Sequence, residues 1–182
     1  MQFEPLSRRT ERLLLRPLQP SDAPAIFAIR SDATVMRFAS SLPLVTLDEA
    51  EAFVAREVAA RAEGHTLRLA LERVQALIGS CILFNSHAQC RRAEIGYELH
   101  RDAWGRGYMH EALRAMLDIA FVQFGLNRIE ADIDPRNTAS ARSLERVGFT
   151  REGLLRERWI VNDEVSDSAL YGLLRSDWQS GV

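Results

Sequence analysis

The sequence predicts a single α+β domain with a mixed central sheet, and three observations carry that prediction. Apolar residues recur at helical spacing over 48–63 and 109–124. They alternate with polar ones over shorter runs, such as 67–71 and 93–99, as strands do. No repeat, low-complexity segment or long linker divides the 182 residues. A chain this long buries about 70% of its unfolded surface, enough for one core.

Glu11 to Leu18 reads as a first strand, with Leu13 and Leu15 on one face and Arg12, Leu14 and Arg16 on the other, punctuated by Pro17 and Pro20. Ser21 and Asp22 are placed to cap a helix whose apolar face is Ile26, Phe27 and Ile29. Ser31 to Thr46 has no clear period and reads as a loop or broken helix. Over Asp48 to Glu63, Ala50, Phe53, Val54, Val58 and Arg61 share one helical face and Gly64 ends the helix. Glu49, Glu51, Arg56 and Glu57 line its wet side, an ordinary charged face or an attraction for a cationic molecule.

Leu67, Leu69 and Leu71, a turn at Arg73 to Gln75 and an apolar run from Ala76 to Phe84 form an antiparallel pair. In the next strand Ile95, Tyr97 and Leu99 point one way and Glu94, Gly96 and Glu98 the other. A turn over Arg101 to Gly107 leads into an amphipathic helix carrying Met109, Leu113, Met116, Leu117, Ala120, Phe121 and Phe124, stopped by Gly125. Ile129, Ala131 and Ile133 mark another strand, and a short helix runs from about Thr138 to Val147 before Gly148. Leu155 to Val161 and Asp167 to Leu174 close the chain as a hairpin about Asn162 and Asp163.

With 23 basic and 25 acidic side chains the formal net charge is −2, so no polyanion partner follows from charge. Arg91-Arg92 is two residues in a turn, not a nucleic-acid patch. All 23 basic residues are arginine, which excludes lysine Schiff-base chemistry and the phosphate-loop lysine. No run approaches the ~18 apolar residues of a membrane helix, and Met1 to Thr10 lacks the apolar core of a signal peptide, so a cytoplasmic location is expected. Cys81 and Cys90 match neither a redox nor a zinc spacing and read as packing or surface thiols. His110-Glu111 begins an HExxH pattern that Arg114 breaks, and His87 with Cys90 lacks a second ligand pair. No metal is expected.

The segment richest in chemistry is Arg101-Asp102-Ala103-Trp104-Gly105-Arg106-Gly107-Tyr108, between a strand and a helix. Two glycines one residue apart let successive amides approach an anion while the helix dipole adds positive potential. The same glycines also suit tight helix–strand packing, and the third glycine of a dinucleotide fingerprint is replaced by His110. Arg101 and Arg106 favour the phosphate reading, since guanidinium forks suit phosphate oxygens.

Trp104 to Leu113, with Asn137-Thr138-Ala139-Ser140 and Val147-Gly148-Phe149, resembles the GNAT superfamily of acetyl-CoA-dependent N-acetyltransferases. The branch it resembles holds the ribosomal-protein N-terminal acetyltransferases of RimJ and RimL type. The resemblance runs from Arg12-Leu13-Leu14-Leu15-Arg16-Pro17 and Ser21-Asp22-Ala23 to Tyr171-Gly172-Leu173-Leu174 and Asp177-Trp178. It implies a mostly antiparallel sheet of about seven strands flanked by about four helices, with a splay between the fourth and fifth strands. Acetyl-CoA is then the acetyl donor. Its pyrophosphate is expected on the amides of Trp104, Gly105, Arg106, Gly107, Tyr108 and Met109, beside Arg101. Its pantetheine arm is expected along Glu98, Leu99 and His100, with Asn137 hydrogen-bonding it and Ser140 near the thioester sulfur. Two positions depart from the family pattern. Asp102 stands where Gln or Arg is common, and Leu144 where many relatives carry a tyrosine general acid. In the branch resembled, a serine at the Ser140 position is the proposed proton donor.

Amine attack on a thioester needs an unprotonated nitrogen and stabilisation of the oxyanion and thiolate. Glu98 is the candidate base, directly or through water; its other reading is a solvated carboxylate or an arginine's partner. Tyr171 positions substrate or relays protons, or is core. Trp159 and Trp178 rim the acceptor cleft or pack. An α-amine at about 7.7–8.0 needs roughly 3.4 kcal/mol less help than a lysine at about 10.4, which favours protein or peptide N-termini and leaves polyamines, aminoglycosides and amino acids open. A non-catalytic acyl-CoA-binding module is the alternative, kept open by Leu144. Acceptor-facing loops are expected at Ser31 to Thr46 and around Asn162, and a homodimer through the C-terminal strands fits the pattern.

Overall fold

The structure, a computed structural model, describes residues 6–178; the start of the segment read for a leader, residues 1–5, lies outside them. Its elements in chain order are β1 (Arg8–Arg9), β2 (Leu14–Pro17), α1 (Ala23–Arg30), α2 (Ala33–Met36), α3 (Leu47–Ala62), β3 (Leu67–Arg73), β4 (Ala76–His87) and β5 (Arg92–Leu99). Then follow α4 (Tyr108–Asp118), β6 (Arg128–Ile133), α5 (Thr138–Arg146), β7 (Thr150–Val161) and β8 (Glu164–Leu174). Among the described residues the eight strands form one sheet in the order β1-β2-β3-β4-β5-β6-β8-β7. All neighbours are antiparallel except β5 and β6. The eighth strand is the two-residue β1, and the fifth helix is the single turn α2; both are too short to leave a period in the sequence.

The alternation seen in β3 divides the interior. Leu67, Leu69 and Leu71 join the core that α4 closes with Leu113, Met116 and Leu117. Ala70 faces the other way, into a smaller core with Ile26 of α1 and Phe53 and Val54 of α3. The long amphipathic helix ends in a π-helical turn over Ile119–Gln123, and Gly125 beyond it adopts φ +62°. Among the described residues no helix is long and apolar enough to cross a membrane.

Asp22 does not cap α1 with its side chain as expected. It is drawn instead to the Gln19 N–H at 2.8 Å and to the Arg16 guanidinium at 2.8 Å, and Arg16 also reaches Glu72 on β3. The charged partner wins because a bidentate guanidinium contact is stronger than a neutral amide bond.

Glu111, the false start of a zinc motif, ties the chain's beginning to α4. Its carboxylate accepts from Thr10 Oγ1 at 2.5 Å, the Arg12 amide at 2.8 Å and Arg12 Nε at 2.6 Å. Burial acts to raise its pKa, but these donors outweigh burial and hold it below the ordinary value. The linkage sign follows: this stability is present above the unfolded-state value and is lost as pH falls through the lower folded value. Glu111→Gln is therefore expected to lower the melting temperature by a few degrees at pH 7, with the difference from wild type shrinking in acid. Equal differences at neutral and acid pH would contradict the assignment.

Candidate functional site

Parallel pairing of β5 with β6 covers only Arg92 to Glu94 against Arg128 to Glu130. Beyond it β5 continues to Leu99 and β6 to Ile133, so the two strands diverge and leave main-chain groups on the facing edges without a ladder partner. These are the strands between which the splay was expected, shifted one place in the count by β1. A cleft of about 610 Å³ opens onto the splay. Its walls include Phe38 to Pro43 from the loop after α2, and Asn162 and Glu164 from the β7–β8 turn. Both segments singled out as variable loops thus border it.

At the end of β5 the chain turns through Gly105, φ +71°, and Gly107, φ +77°, before α4 begins. A Cβ at Gly105 would meet nothing within 4 Å beyond its chain neighbours, so the space beside the turn is open at that point. The first amides of α4 have no intrahelical acceptor, and the helix dipole puts its positive end at this turn. Arg12 fixes the turn from behind by donating to the Arg106 carbonyl at 2.9 Å. The side chains of Tyr108 and Met109 are spent on packing: Arg12 lies 4.8 Å from the Tyr108 ring centre, and the Met109 sulfur is 3.8 Å from Cys81 Sγ. At these two positions only the backbone is free to face an anion. Burial pushes the Cys81 thiol up to about 12, while Cys90 is exposed.

Trp104 donates its indole N–H to the Leu99 carbonyl at 2.9 Å, and the His100 amide continues the sheet by donating to Ile78 at 2.8 Å. His100 Nδ1 accepts from the Asp102 amide. Arg101 is exposed and 3.8 Å from Asp32. Arg106 borders a second, smaller hollow with Arg73 and Tyr108.

Asn137 caps α5, its Oδ1 accepting from the Ser140 amide at 3.1 Å, which leaves its NH₂ to donate into the cleft it lines. Ser140 is buried at the cleft wall, and its Oγ lies 2.7 Å from the hydroxyl of Tyr97. Tyr97 was not among the expected site residues, because its strand register groups it with the core residues Ile95 and Leu99. The signal that could have found it is its place in the stretch of β5 that loses its β6 partner.

Glu98 lines the cleft, but both of its oxygens are engaged. Arg30 Nη1 donates to Oε2 at 2.7 Å, the Ser80 hydroxyl donates to Oε1 at 3.0 Å, and Arg68 stands 3.5 Å from Oε1. Arg68 also pairs with Glu57 at 3.0 Å, and both arginines stack over Phe53. The arginine-partner reading thus describes the contacts of Glu98 better than a free base: Arg30 has its counter-charge in this carboxylate, and Arg68 shares it with Glu57. Tyr171 is not brought to the cleft either. It is 4% exposed, packed in the main core, and its hydroxyl faces Glu145 of α5 at 3.4 Å. Trp159 borders the cleft while its N–H bonds Ser168 at 3.1 Å and Asp132 at 3.3 Å. Trp178 packs against Phe121 and bonds Asp118, away from the cleft.

Residues 12–150 match the family described as the acetyltransferase (GNAT) domain. An uncharacterized N-acetyltransferase of Bacillus licheniformis, p20, is 30% identical over 171 residues, covering 93% of this chain and 96% of that protein. The [ribosomal protein uS5]-alanine N-acetyltransferase of Escherichia coli is 31% identical over 87 residues, 48% of this chain and 45% of that one. The solved structure of Mycobacterium smegmatis RimJ in complex with CoA-disulfide superposes with a TM-score of 0.82 at 28% identity, covering 89% of this chain and 81% of that one. The family match over residues 12–150 and the relative that spans nearly the whole chain agree with the superposition, and the chain belongs to the GNAT family of acetyltransferases, with acetyl-CoA as its acetyl donor.

Proposed function

We propose that the protein transfers the acetyl group of acetyl-CoA to the N-terminal α-amine of a protein or peptide, by direct attack within a ternary complex. The observation that carries this reading is the state of the cleft's charges. Five carboxylates line it, Glu94, Glu98, Asp132, Asp134 and Glu164, alongside five arginines. Each carboxylate has a partner: Asn85 for Glu94, Arg30 for Glu98, Arg158 for Asp132, and Arg136 for both Asp134 and Glu164. A cleft with as many arginines as carboxylates, every carboxylate holding a hydrogen-bond partner, neither concentrates a polycation nor offers a strong base. It suits an amine that is already partly unprotonated at neutral pH, which an α-amine near 7.7–8.0 is and a lysine near 10.4 is not.

In this reading the open glycine turn and the amides of Gly105 to Met109 hold the pyrophosphate, and Arg101 and Arg106 add charge at its rim. The edge of β5 from Glu98 to His100 and the Asn137 amide receive the pantetheine arm, and Ser140 supplies the proton to the leaving thiolate. Glu98 serves as the anion that keeps Arg30 and Arg68 in place at the cleft floor. A binding module without turnover is the alternative.

Competition between two peptides tests the acceptor class. One carries a free N-terminus and no lysine; the other is N-terminally blocked and carries one lysine. At pH 7 the first is expected to be acetylated at least about tenfold faster by kcat/KM, given the difference in free amine. Equal rates, or preference for lysine, would contradict the α-amine assignment.

A further inference from the structure

The position where many relatives keep a tyrosine acid is occupied here by Leu144, which is fully buried in the main core and contributes no proton. The proton for the leaving sulfur must be organised another way. We propose that Tyr97 is the positioning residue for Ser140, its phenol donating to Ser140 Oγ so that the serine's own proton is left pointing into the cleft. The proposal rests on the functional reading above, in which the thioester sulfur lies at the splay beside Ser140.

Geometry gives Tyr97 two acceptors on the same residue. Its hydroxyl lies 2.7 Å from Ser140 Oγ and 3.3 Å from the Ser140 carbonyl oxygen. That carbonyl sits in the first turn of α5, where it also accepts from the helix's own main chain one turn on. The carbonyl keeps a second lone pair, so distance separates the two acceptors, and the contact to Oγ is the shorter. If the serine donated to Tyr97 instead, its proton would be engaged by the phenol and withheld from the sulfur, so the direction of this one bond decides whether Ser140 is armed. Ser140 is held from a second side by Asn137, whose Oδ1 accepts from its amide at 3.1 Å, and it stands near the positive end of α5, where a departing anion is favoured. Burial pushes the Tyr97 phenol well above its ordinary value, so it keeps its proton through neutral pH.

In the transfer, the amine nitrogen bonds to the acetyl carbon and the carbon–sulfur bond breaks, the sulfur leaving with the bonding pair. Sulfur takes the Ser140 proton, Oγ takes the Tyr97 proton, and water restores a proton to Tyr97 as the nitrogen sheds one to solvent. One proton leaves the amine and one reaches the sulfur.

The test compares Tyr97→Phe, Ser140→Ala and the double variant, with acetyl-CoA and a peptide acceptor. Tyr97→Phe is expected to lower kcat about 10- to 100-fold while the KM for acetyl-CoA changes less than about twofold. The double variant should be no slower than Ser140→Ala alone, as for residues acting as a unit. A donor with a more acidic thiol, such as an acetyl thioester of an aryl thiol, should recover most of the loss in Tyr97→Phe, which a merely structural defect would not. Full kcat in Tyr97→Phe while Ser140→Ala is impaired overturns the role of Tyr97 alone, as do multiplicative losses in the double variant or a defect insensitive to the leaving thiol. Unchanged turnover in Ser140→Ala overturns the pair. A wild-type protein that acetylates no amine overturns the functional reading and this inference with it.

Discussion

Gly105→Asp is expected to abolish coenzyme A binding while leaving the protein folded. The residue has φ +71°, and a Cβ there meets no atom within 4 Å beyond its chain neighbours, so the aspartate side chain starts into open space. Aspartate tolerates the left-handed conformation better than most residues, at a local cost of about 1–2 kcal/mol. Its carboxylate would stand over the amides proposed to receive the pyrophosphate. Two like charges about 4 Å apart repel by about 4 kcal/mol at the effective dielectric of a protein surface, close to a thousandfold in affinity. Titration calorimetry with coenzyme A reads the loss, and the thermal melt reports the fold. Unchanged affinity in a folded variant would remove the glycine turn from the cofactor site.

Glu98 carries the second large effect, and it falls on stability. Its side chain and that of Arg30 are each 12% exposed, so their charges are mostly out of water. Removing the carboxylate in Glu98→Ala leaves Arg30 without its partner and Arg68 with Glu57 alone, and breaking a buried pair in this way costs about 3–5 kcal/mol. For a domain of this size each kcal/mol lowers the melting temperature by about 2–4 °C, so a fall of about 10 °C or more is expected. Glu98→Gln separates this role from catalysis. A general base would lose about 10²–10⁴ in kcat with the amide in place, whereas a structural anion loses stability first and turnover only in proportion to the folded fraction. A stable Glu98→Gln variant with kcat reduced by those factors would restore Glu98 as the base.

Sequence patterning and sequence distance explain which parts of this structure could be read in advance. The strands with alternation, Leu67 to Leu71 and Ala93 to Leu99, lie where their period placed them because their larger apolar residues share a face that enters the main core. The glycine turn was legible because a positive φ at Gly105 and Gly107 is a local demand that residue type reveals. Partnerships across the chain were not. Arg30 meets Glu98 from 68 positions away, and Thr10 meets Glu111 from 101. No local pattern encodes such pairs, so the sequence leaves Glu98 open as a base or as an arginine's partner, and only the fold brings Arg30 and Arg68 to it. That Tyr97 lines the cleft and Tyr171 does not was hidden for a related reason. Alternation assigns a face to each but does not tell that β6 withdraws from β5 beside Tyr97, or that Tyr171 sits where β8 is sealed by β6 and α5.

Mass spectrometry of a mixed acceptor pool after incubation with acetyl-CoA tests the central claim most directly. The pool holds peptides with varied N-termini, N-terminally blocked lysine peptides, polyamines and aminoglycosides, and fragmentation locates each added acetyl group. Acetylation on N-terminal residues, absent without the protein and lost in Gly105→Asp, is the predicted result. Acetylation confined to polyamines, aminoglycosides or lysine side chains would contradict the α-amine acceptor, and coenzyme A binding with no acetylated product in the pool would contradict catalysis of this transfer and favour the binding module.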